Sequence, residues 1–302
     1  MPEKRYKTFN DELRTLFGVR VRRISIDAGF TCPNRDGTVA TGGCSFCGDR
    51  GSAAVGVPVH LPVEQQLQKS KEYLVRKFRA ERFLAYFQAY TNTYAELPLL
   101  KELYGIPLAD PDFVGLIIGT RPDCLSDELL EYLSELSSRT YLWLELGMQT
   151  MHDRTLRAIN RGHDYACFVG AVSRCKALGL RVCAHLILCL PGESREEMLQ
   201  SVTELNRLGM DGVKLHHLHV LKGSRYEQEY HAGKLPLLER DEYVQLVSDA
   251  LEFLDPSIIV HRLMGDGRSE LVAPDWSRRK LELLNMIDAE LKKRNSRQGC
   301  RL

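Results

Sequence analysis

Short apolar runs rich in β-branched residues alternate along this chain with longer segments of helical periodicity. In one helical segment, Val63, Leu67, Leu74 and Phe78 recur at the spacing of a single helix face. Strands that alternate with helices of this length form βαβ units and a parallel sheet. Six strands and one short further strand are expected, at residues 21–26, 83–87, 113–118, 141–146, 182–190, 212–221 and 258–261.

The length of the chain limits how these units can close. A complete eight-unit barrel usually needs about 250 residues of repeats, and a large loop and a C-terminal segment leave too few of the 302 residues. We therefore expect an α/β fold, a partial (β/α)6 barrel with a C-terminal helical extension. The expected parts are a basic N-terminal segment (1–18), the barrel (19–222) and an α-rich extension covering the barrel opening (223–302). The tail from Arg294 is a candidate for disorder.

The composition is typical of a globular protein, with 44% hydrophobic and 27% charged residues. No run approaches the roughly 20 apolar residues that cross a membrane. The first residues, MPEKRYKTFNDELR, lack the apolar core of a signal peptide. A cytoplasmic location without a membrane partner is expected. In the reducing cytoplasm, nine cysteines favour metal binding or catalysis over a disulfide framework.

Both ends of the chain are basic, although the net charge is only +1. Two basic ends form a phosphate-binding footprint if the fold brings them together. The alternative is surface charge that keeps the protein soluble. The residues concerned are Lys4, Arg5, Lys7, Arg14, Arg20, Arg22 and Arg23, and Arg278, Arg279, Lys280, Lys292, Lys293, Arg294, Arg297 and Arg301.

Three cysteines follow the first expected strand, where parallel barrels carry their active sites. Cys44 and Cys47 form a C-x-x-C pair, and eleven residues separate Cys32 from Cys44. Three thiolates can hold three irons of a cubane and leave the fourth iron open to a small ligand. A structural zinc site needs four ligands, and the nearest further candidate is His60. The loop therefore predicts a [4Fe–4S] cluster on Cys32, Cys44 and Cys47.

This loop, with its GGCSFC run, resembles the radical S-adenosylmethionine (SAM) superfamily in a variant with a long gap between the first two cysteines. The gap and Phe46 are similar to the radical SAM subunit of Elongator. Residues 5–295 resemble a bacterial radical SAM family that matures wobble uridines, through the runs AYFQAYTNTY, GTRPDCL, LWLELGMQT, INRGHD, HLILCLPGE and GVKLHHLHVLKG. The resemblance implies a radical SAM partial barrel with a [4Fe–4S] cluster and SAM as cofactors. It also implies cleavage of SAM to a 5′-deoxyadenosyl radical.

The resemblance implies a SAM site at the ends of the strands. Gln88, Thr91 and Asn92 occupy the position that holds the amino group of SAM, where many members have Gly-Gly-Glu instead. In the coproporphyrinogen dehydrogenase branch, the position of Gln149 lies near the methionine moiety. That branch has an arginine twelve residues later that binds the SAM carboxylate, and Arg161 stands there. A guanidinium matches a carboxylate through two parallel hydrogen bonds.

Five further side chains are assigned to cofactor binding. His185 replaces an aspartate that contacts the ribose in the related branch, and Leu190 begins the turn that bounds the adenine. By strand alternation, Glu145 shares a face with Gly147. Lys214 and His216 share the face opposite to their apolar neighbours, so both are expected inside the barrel.

The TRPD run places Arg121 and Asp123 after the third strand. The two side chains can pair structurally or serve the site. The similar run in the Elongator subunit favours a functional role. Arg121 is then expected to contact the cofactor, and Asp123 is expected to contact the substrate.

The relatives that share TRPD and a C-terminal HR-x-x-GDG segment (His261 to Gly267) are associated with maturation of the tRNA wobble uridine. The implied step converts a 5-carboxymethylaminomethyl group to 5-aminomethyl. The basic ends fit phosphate contacts with tRNA. The candidate substrate residues in this region are His261, Arg262, Asp266 and Trp276.

The expected partners are tRNA and a reducing electron donor of the flavodoxin or ferredoxin type. Two alternatives remain open, because a fold and a cofactor do not specify a substrate. The first is a radical SAM enzyme that acts on a small metabolite or a protein. The second is a non-catalytic zinc or nucleic-acid-binding module.

Overall fold

Seven parallel strands form the main sheet of the computed structural model, which describes residues 4–48, 51, 60–266 and 270–302. Its strands are β1 (Val21–Ile26), β2 (Arg82–Phe87), β3 (Phe113–Thr120), β4 (Tyr141–Gln149), β5 (Val182–Leu188), β6 (Gly212–His217) and β8 (Ile259–Arg262), and β7 (Val220–Leu221) and β9 (Leu271–Ala273) form a separate pair. In the main sheet the spatial order is β1-β2-β3-β4-β5-β6-β8. Within the described ranges, the edge strands β1 and β8 do not pair, so the barrel is open on one side. The expected α/β partial barrel is confirmed, with a seventh strand beside its six units.

Helices surround this sheet, and the first of them contacts the two edge strands. They are α1 (Phe9–Phe17), α2 (Val63–Phe78), α3 (Leu97–Leu108), α4 (Asp127–Ser137), α5 (Asp153–Ala158), α6 (Tyr165–Ala177), α7 (Arg195–Arg207), α8 (Arg225–His231), α9 (Arg240–Phe253) and α10 (Lys280–Lys293). The side chain of Ser126 caps α4, and Ser194 with Glu197 forms the capping box of α7. None of these helices, as far as the structure describes them, has the length and apolar character of a membrane span.

The sixth strand is shorter than its sequence pattern predicts. β6 ends at His217, and the next two-residue strand, β7, pairs antiparallel with β9 outside the main sheet. The expectation of one strand over residues 212–221 is wrong. An unbroken run of apolar residues and histidines does not reveal a change of partner strand.

The inner face of the barrel carries its own apolar cluster, which we call the floor. It lies at the amino-terminal half of the sheet and contains Phe9, Leu13, Val21, Leu84, Tyr86, Ile117, Tyr141, Trp143, Cys183 and Ile259. Phe9 and Leu13 come from α1, which contacts both edge strands. The Phe9 ring stacks on His261 at 4.0 Å and meets the edge of Trp143 at 5.9 Å. The segment expected only to be basic therefore closes the base of the barrel.

The two ends of the chain lie side by side. Gln298 donates its backbone N–H to Arg5 O at 2.9 Å, and Lys7 donates its own to Gln298 Oε1 at 2.9 Å. Lys7 O in turn accepts a hydrogen bond from Val260 N at 2.8 Å. The C-terminal tail is therefore not disordered. Long-range backbone pairing orders it, and no local sequence pattern predicts such pairing.

Truncation of Phe9 tests the floor. Phe9→Ala is expected to lower the free energy of unfolding by about 3–5 kcal/mol, because it opens a cavity between His261 and Trp143. Leu16→Ala is the control in the same helix, since Leu16 is 52% exposed and its loss should cost within about 0.5 kcal/mol. Urea unfolding followed by circular dichroism measures both. Equal effects would contradict the role of Phe9.

Candidate active site

The cysteine loop is fastened to the turn that follows α5. Ser45 donates its backbone N–H to Ile159 O at 2.9 Å, and Asn160 Nδ2 donates to Gly43 O at 2.8 Å. Within the loop itself, Arg35 Nη2 donates to Gly48 O at 2.6 Å. The loop after β1 is thus held against the carboxyl end of β4, where a parallel barrel carries its chemistry.

The three thiols of this loop do not suit a single metal ion. Two sulfurs bound to one zinc lie at most about 4.6 Å apart, since each Zn–S bond is about 2.3 Å. Among the described residues, two groups of three ligand atoms lie mutually within 4.8 Å, and Cys32, Cys44 and Cys47 are not one of them. His60 is exposed. The wider spacing favours a cluster over a structural zinc.

Polar groups surround the buried sulfur of Cys44. Asn34 Nδ2 lies 3.5 Å from Cys44 Sγ, and Arg161 Nη1 lies 3.8 Å from it. Burial, and then the nearby Cys44 thiol, raises the pKa of Cys47 above its usual range. Bound metal reverses that tendency by holding the thiolate.

Arg161 and Gln149 form a cradle beside Cys44. Arg161 Nη2 donates to Gly147 O at 2.8 Å. A Cβ at Gly147 would lie 2.5 Å from both Arg161 Nη2 and Gln149 Nε2, so any larger residue there would displace these two side chains. Gln149 Oε1 and Arg161 Nε are buried without a hydrogen-bond partner. Groups of this kind, unpaired at a cost of about 1–3 kcal/mol each, suit a polar ligand.

Arg121 and Asp123 form a bidentate ion pair beside this cradle. Arg121 Nε and Nη2 donate to the two Asp123 carboxylate oxygens at 2.9 and 2.7 Å. Arg121 Nη1 donates to Arg161 O at 2.8 Å. The pair therefore positions the backbone of Arg161.

The residues expected near the SAM amino group follow β2. Thr91 donates its backbone N–H to Thr31 O at 3.2 Å, and Asn92 Nδ2 donates to Gly119 O at 2.8 Å, which leaves Asn92 Oδ1 buried and unpaired. Gln88 Oε1 accepts from Ser25 Oγ at 3.1 Å.

His185 lies inside the barrel, on β5. Its Nε2 atom is buried without a partner, and its ring centroid lies 5.7 Å from that of His216. Burial, and then the charge of Lys214, lowers the pKa of His185 to about 3, so the ring is neutral. Leu190 is buried directly after β5. These positions suit hydrogen bonding to ribose and packing against adenine.

Glu145 and Lys214 form a buried ion pair inside the barrel, as strand alternation predicts. Lys214 Nζ lies 2.5 Å from Glu145 Oε2 and 2.7 Å from Tyr86 Oη. Both charged side chains are at most 4% exposed. Burial lowers the pKa of Lys214 to about 8 against the pull of Glu145.

The C-terminal candidates do not gather at one opening. His261 is buried against Phe9 on the floor, with Nδ1 3.7 Å from Glu145 Oε1. Arg262, whose register partner in the sheet is Lys214, places its Nη2 atom 3.2 Å from Asp266 Oδ2. Trp276 packs 4.4 Å from the His217 ring. Gly267, which ends the HR-x-x-GDG segment, lies outside the described residues.

Sequence reasoning missed three residues of the site. Asn34 and Asn160 join the cysteine loop to the barrel, and no sequence pattern marks them. Arg23 faces the interior beside Glu145 and Lys214. An arginine within a strand expected to be buried could have indicated an interior charge. However, Arg22 and Arg23 are adjacent and point to opposite faces, so the sequence does not show which of them faces the interior.

Comparison with known proteins assigns this chain, with its parallel barrel and three-cysteine loop, to a family. The Radical SAM superfamily model matches residues 34–205, and the Radical SAM C-terminal domain model matches residues 210–293. YtqA of Bacillus subtilis is 47% identical over 298 residues, with 98% of this chain and 92% of YtqA covered. This protein therefore belongs to the radical SAM superfamily, and its cofactors are a [4Fe–4S] cluster and SAM.

Two more distant relatives carry names linked to Elongator or to tRNA. The tRNA uridine(34) acetyltransferase of Dehalococcoides mccartyi is 28% identical over 51% of this chain and 33% of that protein. The structure of the archaeal Methanocaldococcus infernus Elp3 covers 92% of this chain with a TM-score of 0.69 and 19% identity. This chain spans 64% of that structure. The second match supports the fold alone.

The described side chains fit both cofactors of the family. Three thiols are present for the cluster, and the unpaired polar atoms beside Cys44 suit the ammonium, carboxylate and ribose of SAM. With the family established, the protein is an enzyme, and the non-catalytic zinc module is excluded.

Serine substitution tests the cluster. Anaerobically reconstituted protein should be brown and contain about four irons and four sulfides per chain. Cys44→Ser should lose most of this iron, because a hydroxyl is a poor replacement for a thiolate. Cys300→Ser is the control, since Cys300 is exposed. Stoichiometric zinc without sulfide in the wild type would overturn the assignment.

A double-mutant cycle tests the interior ion pair. Lys214→Met should cost about 3–5 kcal/mol, because Glu145 is left buried and unpaired. The double variant Glu145→Gln/Lys214→Met should recover much of this cost. Chemical unfolding of the four proteins gives the coupling energy. Additive effects would show that the two charges do not stabilise each other.

Proposed function

We propose that this enzyme matures the wobble uridine of tRNA, converting its 5-carboxymethylaminomethyl group to 5-aminomethyl by breaking the bond between the amine nitrogen and the carboxymethyl carbon. SAM would be the two-electron oxidant, water would add to the oxidised carbon, and the carboxymethyl group would leave as glyoxylate. One observation carries the tRNA assignment. Over about half its length, the chain is similar to a tRNA uridine(34) acetyltransferase. A second supporting similarity, to the human Elongator complex protein 3, covers 61% of this chain at 28% identity.

The proposed roles of the residues follow from their positions. Cys32, Cys44 and Cys47 would hold the cluster, and the cluster together with SAM would supply the radical chemistry that removes a hydrogen atom from the substrate. Arg161 binds the SAM carboxylate, and its place beside Cys44 supports this role. Arg121 positions Arg161 through its backbone.

The remaining cofactor contacts are assigned by position. Gln88, Thr91 and Asn92 lie where the amino group of SAM is expected, and Gln149 faces the methionine moiety. His185, as a neutral imidazole, hydrogen-bonds the ribose. Leu190 bounds the adenine, and His216 lies on the same inner face as Lys214.

The basic ends support tRNA binding in part. Pairing of residues 5–7 with residue 298 brings them together, which a shared phosphate footprint requires. Several of their charges have acidic partners, such as Arg294 with Asp249 and Lys4 with Asp288. Fewer basic side chains are therefore available to bind RNA phosphates than the sequence suggests. We place the enzyme in the cytoplasm with a flavodoxin or ferredoxin type of electron donor.

Nucleoside analysis of bulk tRNA tests the proposal. A strain without this gene should accumulate 5-carboxymethylaminomethyluridine and lose 5-aminomethyluridine and its methylated product. Mass spectrometry of digested tRNA measures all three. The wild-type gene should restore the profile, whereas a Cys44→Ser gene should not. An unchanged profile in the deletion strain would favour a small metabolite or a protein as the substrate.

A further inference from the structure

An excess of positive charge lies inside the barrel between the SAM cradle and the floor. The layer contains Arg23, Lys214 and Arg262, and its carboxylates are Glu145 and Asp266. Glu145 forms an ion pair with Lys214, whereas Asp266 forms ion pairs with both Arg262 and Lys280. Arg23 has no carboxylate in ion-pair contact within the described parts of the chain.

Arg23 is half-buried, and its guanidinium is only partly satisfied. Its Nη1 atom is buried without a hydrogen-bond partner among the described residues, and the Phe9 ring lies 5.7 Å from Cζ. Burial and the charge of Arg262 both lower the pKa of Arg23, and an arginine remains charged all the same. A charge in such a place is costly unless a partner arrives.

The neighbouring histidines neither add charge nor supply that partner. Burial lowers the pKa of His185 to about 3 and that of His261 to about 4. Both are neutral, and His185 Nε2 and both ring nitrogens of His261 lack hydrogen-bond partners. The layer therefore combines unpaired polar atoms with unbalanced positive charge, a combination that an anionic group would satisfy.

The carboxylate of SAM is not this anion. It belongs with Arg161, whose guanidinium contacts Cys44 Sγ and Gly147 O. Glu145 precedes Gly147 by two residues on β4, so the charged layer lies nearer the floor. A phosphate of the RNA backbone is also unsuitable, because the backbone cannot follow a single base into the barrel. A base turned out of a single-stranded loop can enter with its substituent.

We propose that Arg23, together with Lys214 and Arg262, forms a subsite for a carboxylate of the substrate. This inference rests on the proposed function, in which the uridine substituent ends in a carboxylate. The planar guanidinium of Arg23 would bind it through two parallel hydrogen bonds. The subsite selects nucleosides whose 5-substituent is anionic.

Two synthetic anticodon stem-loops test the subsite. One carries 5-carboxymethylaminomethyluridine at the wobble position, and the other carries the neutral primary amide of the same group. The reconstituted wild type should prefer the carboxylate by about 10- to 100-fold in kcat/KM and should bind it more tightly. Mass spectrometry measures turnover, and fluorescence anisotropy measures binding.

Variants of two adjacent arginines identify the residue responsible. Arg23→Met should abolish the preference by weakening only the carboxylate substrate, and Arg23→Lys should retain part of it. Arg22→Met is the control, since Arg22 lies over the Phe78 ring on the other face of β1 and should keep the preference. Iron content and substrate-free SAM cleavage verify that each variant is folded and loaded.

The outcomes separate this inference from the proposed function. Equal preference in the wild type and Arg23→Met, or no preference in the wild type, overturns the subsite. Binding preference through Arg23 without turnover supports the subsite and overturns the proposed reaction. If Arg23→Met does not fold, Arg23→Lys and the comparison of the two stem-loops on the wild type decide.

Discussion

The hydrogen bonds between the cysteine loop and the turn after α5 hold the whole site together. Asn160 binds Gly43 O, and the next residue, Arg161, reaches both Cys44 Sγ and Gly147 O. One short segment therefore fixes the distance between the cluster ligands and the SAM cradle. Over residues 27–48 the loop contains little regular secondary structure of its own, so these bonds give it a defined position.

The sequence predicted the fold well, for physical reasons, and it made a definite prediction of the cluster ligands. Alternating strands and helices leave a strong pattern, and the cysteine spacing identifies a metal loop. Strand alternation also placed Lys214 inside. It did not place Arg23, because two adjacent arginines on a six-residue strand indicate both faces equally. The roles of Asn34 and Asn160 depend on contacts across more than 100 residues, which one sequence does not reveal.

Two chemically different layers share the interior of the barrel. The floor is apolar and aromatic, with Phe9 stacked on His261 and both side chains buried. Above it, Lys214 and Glu145 are buried as a charged pair. A pair of this kind contributes little net stability compared with apolar packing. Its presence in the core supports a role in recognition more strongly than one in folding.

The pairing of residues near the two ends of the chain determines when this contact can form during synthesis. Lys7 binds Gln298, a partner nearly 300 residues away in the sequence. The segment that brings Phe9 to the base of the barrel is therefore synthesised long before Val260 and Gln298, the residues to which Lys7 binds. Until residue 298 has left the ribosome, the base of the nascent barrel lacks this fastening, and contacts of such long range form slowly.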